Sequence, residues 1–62
     1  MNEEEEKKYR KLVEEMVECA FQLDKEGYTI RSSNPDSYKY CELFEAAIKL
    51  REASDKLEYA LS

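Results

Sequence analysis

Tyr40, Leu43, Ala47, Leu50, Ser54, Leu57 and Leu61 recur at alternating steps of three and four. This unbroken a/d repeat constrains the chain more than any other feature, because it specifies one long helix with a continuous apolar seam. A strand would show period two, and a loop would show no period. The seam calls for a facing helix, so the fold class is all-α.

The upstream half has the pattern of a first helix. Asn2 is a candidate N-cap, and Glu3 to Glu6 fill the first turn, where negative charge complements the helix dipole. Glu3–Lys7, Glu4–Lys8 and Glu6–Arg10 have the i, i+4 spacing of helix-surface ion pairs. From Tyr9 the pattern becomes amphipathic. Tyr9, Leu12, Met16, Cys19 and Leu23 form a stripe that Val13, Val17 and Ala20 widen, and Phe21 falls off it. Gly27 reads as the C′ residue that stops this helix, with Tyr28 folding back on Leu23. Ser33 or Asn34 then caps a second helix, and Pro35 occupies its first turn. The expectation is a single domain over residues 1–62, an antiparallel helical hairpin with helices at about 3–26 and 35–61 and a loop at about 27–34.

A hairpin closed at that loop places Cys19 near Cys41, Met16 near Phe44, and Leu12 and Val13 near Ile48. The Cys41–Phe44–Ile48 side of the second helix is then used within the hairpin. The seam is left over, flanked by Ala46, Ala53 and Ala60 at intervals of seven. The expected dimer seam comprises Tyr40, Leu43, Ala46, Ala47, Leu50, Ala53, Ser54, Leu57 and Leu61, and pairing along it gives a four-helix bundle. Size points the same way. A chain of 62 residues builds a small core, and small folds commonly add disulfides, a metal or a partner.

Composition removes several function classes. With no His and two Cys, a structural zinc site has too few ligands, and neither a Ser-His nor a Cys-His pair can be assembled. No glycine-rich phosphate loop exists. No metal, no cofactor and no catalysis are expected, and the two cysteines read as small buried apolar residues. A formal charge of −5 disfavours direct contact with nucleic acid or anionic membranes. The acidic start is the opposite of a basic signal peptide, so a cytoplasmic protein with reduced thiols is expected.

Binding to another protein is left as the function class. Tyr28, Ile30, Arg31 and Tyr38, together with Tyr40, gather at the loop end, and Tyr and Arg are enriched at interface hot spots. The alternative there is a plug, with the tyrosines closing the bundle end and Arg31 paired to an acid. Glu14, Glu15 and Glu18 form an acidic face beside Phe21, either a solvated face, a dock for a basic surface, or a mimic of the DNA phosphate rail. The expected function is that of a small acidic inhibitor, adaptor or antidote of a larger protein, a class common among phage-encoded inhibitors of host or defence machinery. A self-assembling structural bundle is the second reading.

Lys25-Glu26-Gly27-Tyr28-Thr29 and Ser54-Asp55-Lys56-Leu57-Glu58 resemble two elements of the sporulation-type aspartyl-phosphate phosphatase hairpins. Those have a Gly-hydrophobic-Thr turn and a Ser-x-x-Leu-Asp element on the second helix. Here Glu58 stands where the family has Asp, and more residues separate the two elements. The resemblance implies that Ser54 and Glu58 serve dephosphorylation of a response regulator.

Overall fold

The computed structural model describes residues 2–62. It is an antiparallel hairpin of two helices, α1 (Glu3–Ser33) and α2 (Lys39–Leu61), joined by a five-residue connection. The all-α hairpin is as the sequence predicts, and so is the N-terminal cap. Asn2 Oδ1 accepts from the Glu5 amide at 2.8 Å, and the four glutamates follow in the first turn. Of the three expected i, i+4 ion pairs, Glu6–Arg10 is formed, at 2.8 Å.

The loop differs from the expected 27–34. Gly27 does not end α1, which continues through it for six more residues without a positive φ. A glycine inside a helix costs about 1 kcal/mol relative to alanine. The position nonetheless suits glycine, because Phe44 of α2 lies directly against it. A Cβ at Gly27 would stand 2.5 Å from Phe44 Cε1. Tyr28 accordingly lies within α1 instead of folding back on Leu23.

Pro35 is what terminates α1. A proline pushes the preceding residue out of the helical region, and Asn34 has φ −148° and ψ 78°. Pro35 then occupies the second position of a turn closed by Ser37 N donating to Asn34 O at 3.0 Å, a place that fits its fixed φ. Ser37, not Ser33 or Asn34, assists the start of α2, its Oγ accepting from the Lys39 amide at 3.1 Å. Ser33 Oγ instead donates back to the carbonyls of Thr29 and Ile30 within α1.

Moving the turn changes the pairing of the helices. The sequence puts Phe44 beside Met16, and the structure puts it against Gly27, eleven residues further along α1. That is about 16 Å along the axis at 1.5 Å per residue. Cys19 and Cys41 are therefore not level, and both are free and exposed instead of buried.

The core face rotates with the pairing. Val13, Ala20 and Gly27 are buried at intervals of seven on α1, and Ala47 and Ser54 at the same interval on α2. Tyr9, Met16, Leu23 and Ile30 alternate with the first set, and Tyr40, Leu43, Leu50, Leu57 and Leu61 with the second, all half-buried. This is the seven-residue seam of an antiparallel coiled coil, with small residues letting the backbones approach. The Tyr40–Leu61 seam, which the sequence pattern assigns to a second chain, thus faces α1 within one chain, with Ala47 fully buried. Cys41 and Ile48, expected inside the hairpin, are exposed.

The molecule is a thin rod of 49 × 14 × 11 Å with a radius of gyration of 14.6 Å. A compact chain of this length would have about 10.6 Å. No large side chain is fully buried among the described residues, and the accessible surface is 5103 Å². A compact monomer of the same mass exposes about 4200 Å².

Candidate protein-binding surface

The seam leaves α1 and α2 with two outer sides. One side is carried on α1 by Val17, Phe21, Asp24 and Tyr28, and on α2 by Phe44, Ile48 and Arg51, each set at steps of three and four. Two contacts tie these rows together. The Tyr28 and Phe44 rings lie 5.0 Å apart with planes tilted by 58°, and Arg51 Nη2 pairs with Asp24 Oδ2. Both contacts depend on the pairing that Gly27 and Pro35 set.

Near the turn this side is aromatic. Phe44 also meets Tyr40 edge-on at 6.1 Å. The Arg31 guanidinium carbon sits 5.0 Å from the centre of the Tyr28 ring and 5.9 Å from that of Phe44, within cation–π range. Arg31 thus rests on aromatic faces, and among the described residues it forms no ion pair with an acid. Tyr38 stands apart from this cluster, 85 % exposed on the turn. Ile30 is half-buried beside the seam and offers little to a partner.

Towards the open end the side becomes an apolar groove with an acidic rim. Val13, Val17 and Phe21 line it with the carboxylates of Glu14, Glu18 and Glu58. A second hollow, lined by Phe21, Asp24, Lys25 and Tyr28, continues it towards the turn. The ion pairs among the described residues are Arg10–Glu6 and Arg51–Asp24, which leaves Glu14, Glu18 and Glu58 without a paired base. Of the residues singled out from sequence, Glu14, Glu18 and Phe21 come together here and Tyr28 lies at the adjoining hollow. Glu15 is exposed elsewhere on α1, towards the opposite side of the hairpin. Val17, Ile48, Phe44 and Arg51 are not among the binding residues read from sequence, and Glu58 is named there only through the phosphatase resemblance. The signal for them is the charge match of Asp24 with Arg51, visible only once the helices are paired correctly.

The other side is carried by Leu12, Met16, Cys19 and Leu23 on α1, and by Ala46, Leu50 and Ala53 on α2. No charged residue interrupts these rows. Ser54, which the phosphatase resemblance makes functional, is buried in the seam, its Oγ donating to the Arg51 carbonyl at 2.9 Å. Gly27, the turn glycine of that resemblance, lies inside α1. Among the described residues, no helix is long and apolar enough to cross a membrane. Comparison with protein-family models, with curated proteins and with solved structures gives no match for this chain.

Proposed function

We propose that this chain is a non-enzymatic protein that acts by binding another protein, as an inhibitor, adaptor or antidote of a larger molecule. One observation carries this reading. Val17, Phe21, Tyr28 and Ile48 are 46 %, 63 %, 55 % and 52 % exposed along a single side of the hairpin. Scattered exposed apolar residues are ordinary on a protein surface, but several gathered on one side among charged residues mark an interaction site. The row includes Tyr28 with Arg31 over its ring, the residue types that dominate interface energetics. The acidic rim of Glu14, Glu18 and Glu58 favours a partner that presents Lys or Arg around an apolar anchor.

The test is affinity capture from an extract of the native host with the unaltered chain and with Phe21→Asp and Val17→Asp variants, both at exposed groove positions. The reading expects a discrete partner that the variants lose while their melting curves stay unchanged. Retention of the same partner by both variants would contradict it.

Self-assembly is the second reading, in which two hairpins close into a four-helix bundle. The observation favouring it is the lack of any fully buried large side chain among the described residues, since a lone hairpin of this kind has a core of small residues only.

A further inference from the structure

The geometry points to a second copy of this chain as the occupant of the uncharged side, with each α1 lying over the α2 of the other copy. The proposal rests on the self-assembly reading above and fixes which surface carries it. It keeps Leu43, Ala46, Leu50, Ala53 and Leu57 of the dimer seam expected from sequence and leaves out Ala47 and Ser54, which α1 already buries.

Three observations select this occupant. The first is area. The hairpin exposes 5103 Å², about 900 Å² more than a compact monomer of its mass would. A standard stable interface buries about 800 Å² per partner. One face of the rod, covered once, accounts for the excess.

The second is charge. Each copy carries a formal −5, so two copies repel least where they meet through a face whose central rows hold no acid. The groove side presents Glu14, Glu18 and Glu58 and would set like charges against each other. The opposite side runs from Leu12 to Leu23 on α1, and from Leu43 to Leu57 on α2, with only apolar residues in its central rows. Ala46, half-buried, and Ala53, exposed, lie seven apart on this side, and their small side chains allow a second helix to come close.

The third is the rim of that same side. Glu15 and Glu26 lie on its α1 edge, and Glu42, Lys49 and Lys56 on its α2 edge, with the two lysines towards the open end. Phe44 against Gly27, and Glu58 beside Val13, put Lys56 at nearly the level of Glu15. The two are on opposite edges of one hairpin and form no ion pair within it. A two-fold axis parallel to the helices keeps every level and exchanges the edges, which sets Lys56 beside Glu15 of the second copy. The alternative axis, across the helices, would bring α1 over α1 and oppose Glu15 to Glu26.

The native cysteines report on this face. Cys19 lies midway along the uncharged side and Cys41 lies outside it, and both are exposed in a single hairpin. Iodoacetamide labelling of the full chain is followed by mass spectrometry from sub-micromolar to hundred-micromolar protein, beside sedimentation of the same samples. The expected result is a mass of about twice 7.4 kDa at high concentration, with Cys19 labelling slowed at least tenfold and Cys41 labelling unchanged. Glu15→Lys and Lys56→Glu should each weaken the dimer about tenfold, since each makes two rim pairs repulsive, and the double reversal should restore it. A dimer in which Cys19 stays reactive, or in which the double reversal fails to restore affinity, overturns this face and leaves self-assembly standing. A monomer at every concentration overturns both.

Discussion

On one side of the hairpin Val17, Phe21 and Ile48 stand among carboxylates and arginines, and on the other Leu12, Cys19 and Ala53 stand in rows with no charge between them. Both sides expose apolar surface that one chain leaves uncovered. They differ in what can cover it. A charged rim would select partners by electrostatic match and repel a second acidic copy, whereas the uncharged row of small and aliphatic residues is the side on which we propose a second copy. A rod of two helices has room for both tasks because its internal seam is built from Val13, Ala20, Gly27, Ala47 and Ser54, which leaves the larger residues at the margins.

The widest separation between the two sides comes from placing one acid on each. Leu50→Asp puts a carboxylate where the internal seam meets the uncharged side and should cost about 3 kcal/mol or unfold the chain, read by urea denaturation. Phe21→Asp on the groove side should change stability by less than about 0.5 kcal/mol, because Phe21 is mostly exposed. Equal losses at the two positions would erase the distinction. Binding of a partner at the groove should also weaken as salt rises, because its rim carboxylates are exposed.

The contact that sets both sides is tested next. Gly27→Ala gains about 1 kcal/mol of helix propensity but drives a methyl into a Phe44 ring already in contact with Tyr28 and Tyr40. Overpacking of this kind costs about 1–3 kcal/mol, so a net loss of about 1 kcal/mol is expected. In a Phe44→Ala background the same substitution should become stabilising. Thermal denaturation of the four proteins in that cycle decides it, and an unchanged sign would place Phe44 away from Gly27.

Smaller effects follow. Asp24→Asn breaks the pair with Arg51 that ties the groove side together, and both partners are partly exposed. A loss of about 0.5 kcal/mol is expected, shrinking between low and high salt. Ser54→Ala removes a hydroxyl whose partner is the Arg51 carbonyl of its own helix and should stabilise by a few tenths of a kcal/mol. A large loss of stability there would give Ser54 a structural role that its hydrogen bond does not explain.

Two residues separate what the sequence reveals of this molecule from what it hides. The a/d repeat of α2, the Asn2 cap and the helical hairpin are local patterns and are legible as such. Gly27 is not, because glycine after an amphipathic run has the same local signature whether it ends a helix or admits a neighbouring ring. Only Phe44, seventeen residues away, distinguishes the cases. Pro35 is equally ambiguous, being suited both to the first turn of a helix and to the second position of a β-turn. Reading both the other way moves the turn and slides the helices by three turns. It also turns Leu12 and Cys19 towards the core in place of Val13 and Ala20. The groove was legible in part, through Glu14, Glu18 and Phe21 on one helix. Glu58 joins it from the other helix, and Arg51 pairs with Asp24 beside it; both are found only with the correct pairing. The one long-range hint in the sequence is the spacing of small residues at seven in both helices, Ala20 to Gly27 and Ala47 to Ser54.

The claim on which the comparison of the two sides depends is that the single hairpin is an incomplete core. Sedimentation equilibrium of the full chain at tens of micromolar in physiological salt tests it directly. The account predicts a species of about twice 7.4 kDa that dissociates, and loses helicity, on dilution. A fully helical 7.4 kDa species at every concentration would contradict it.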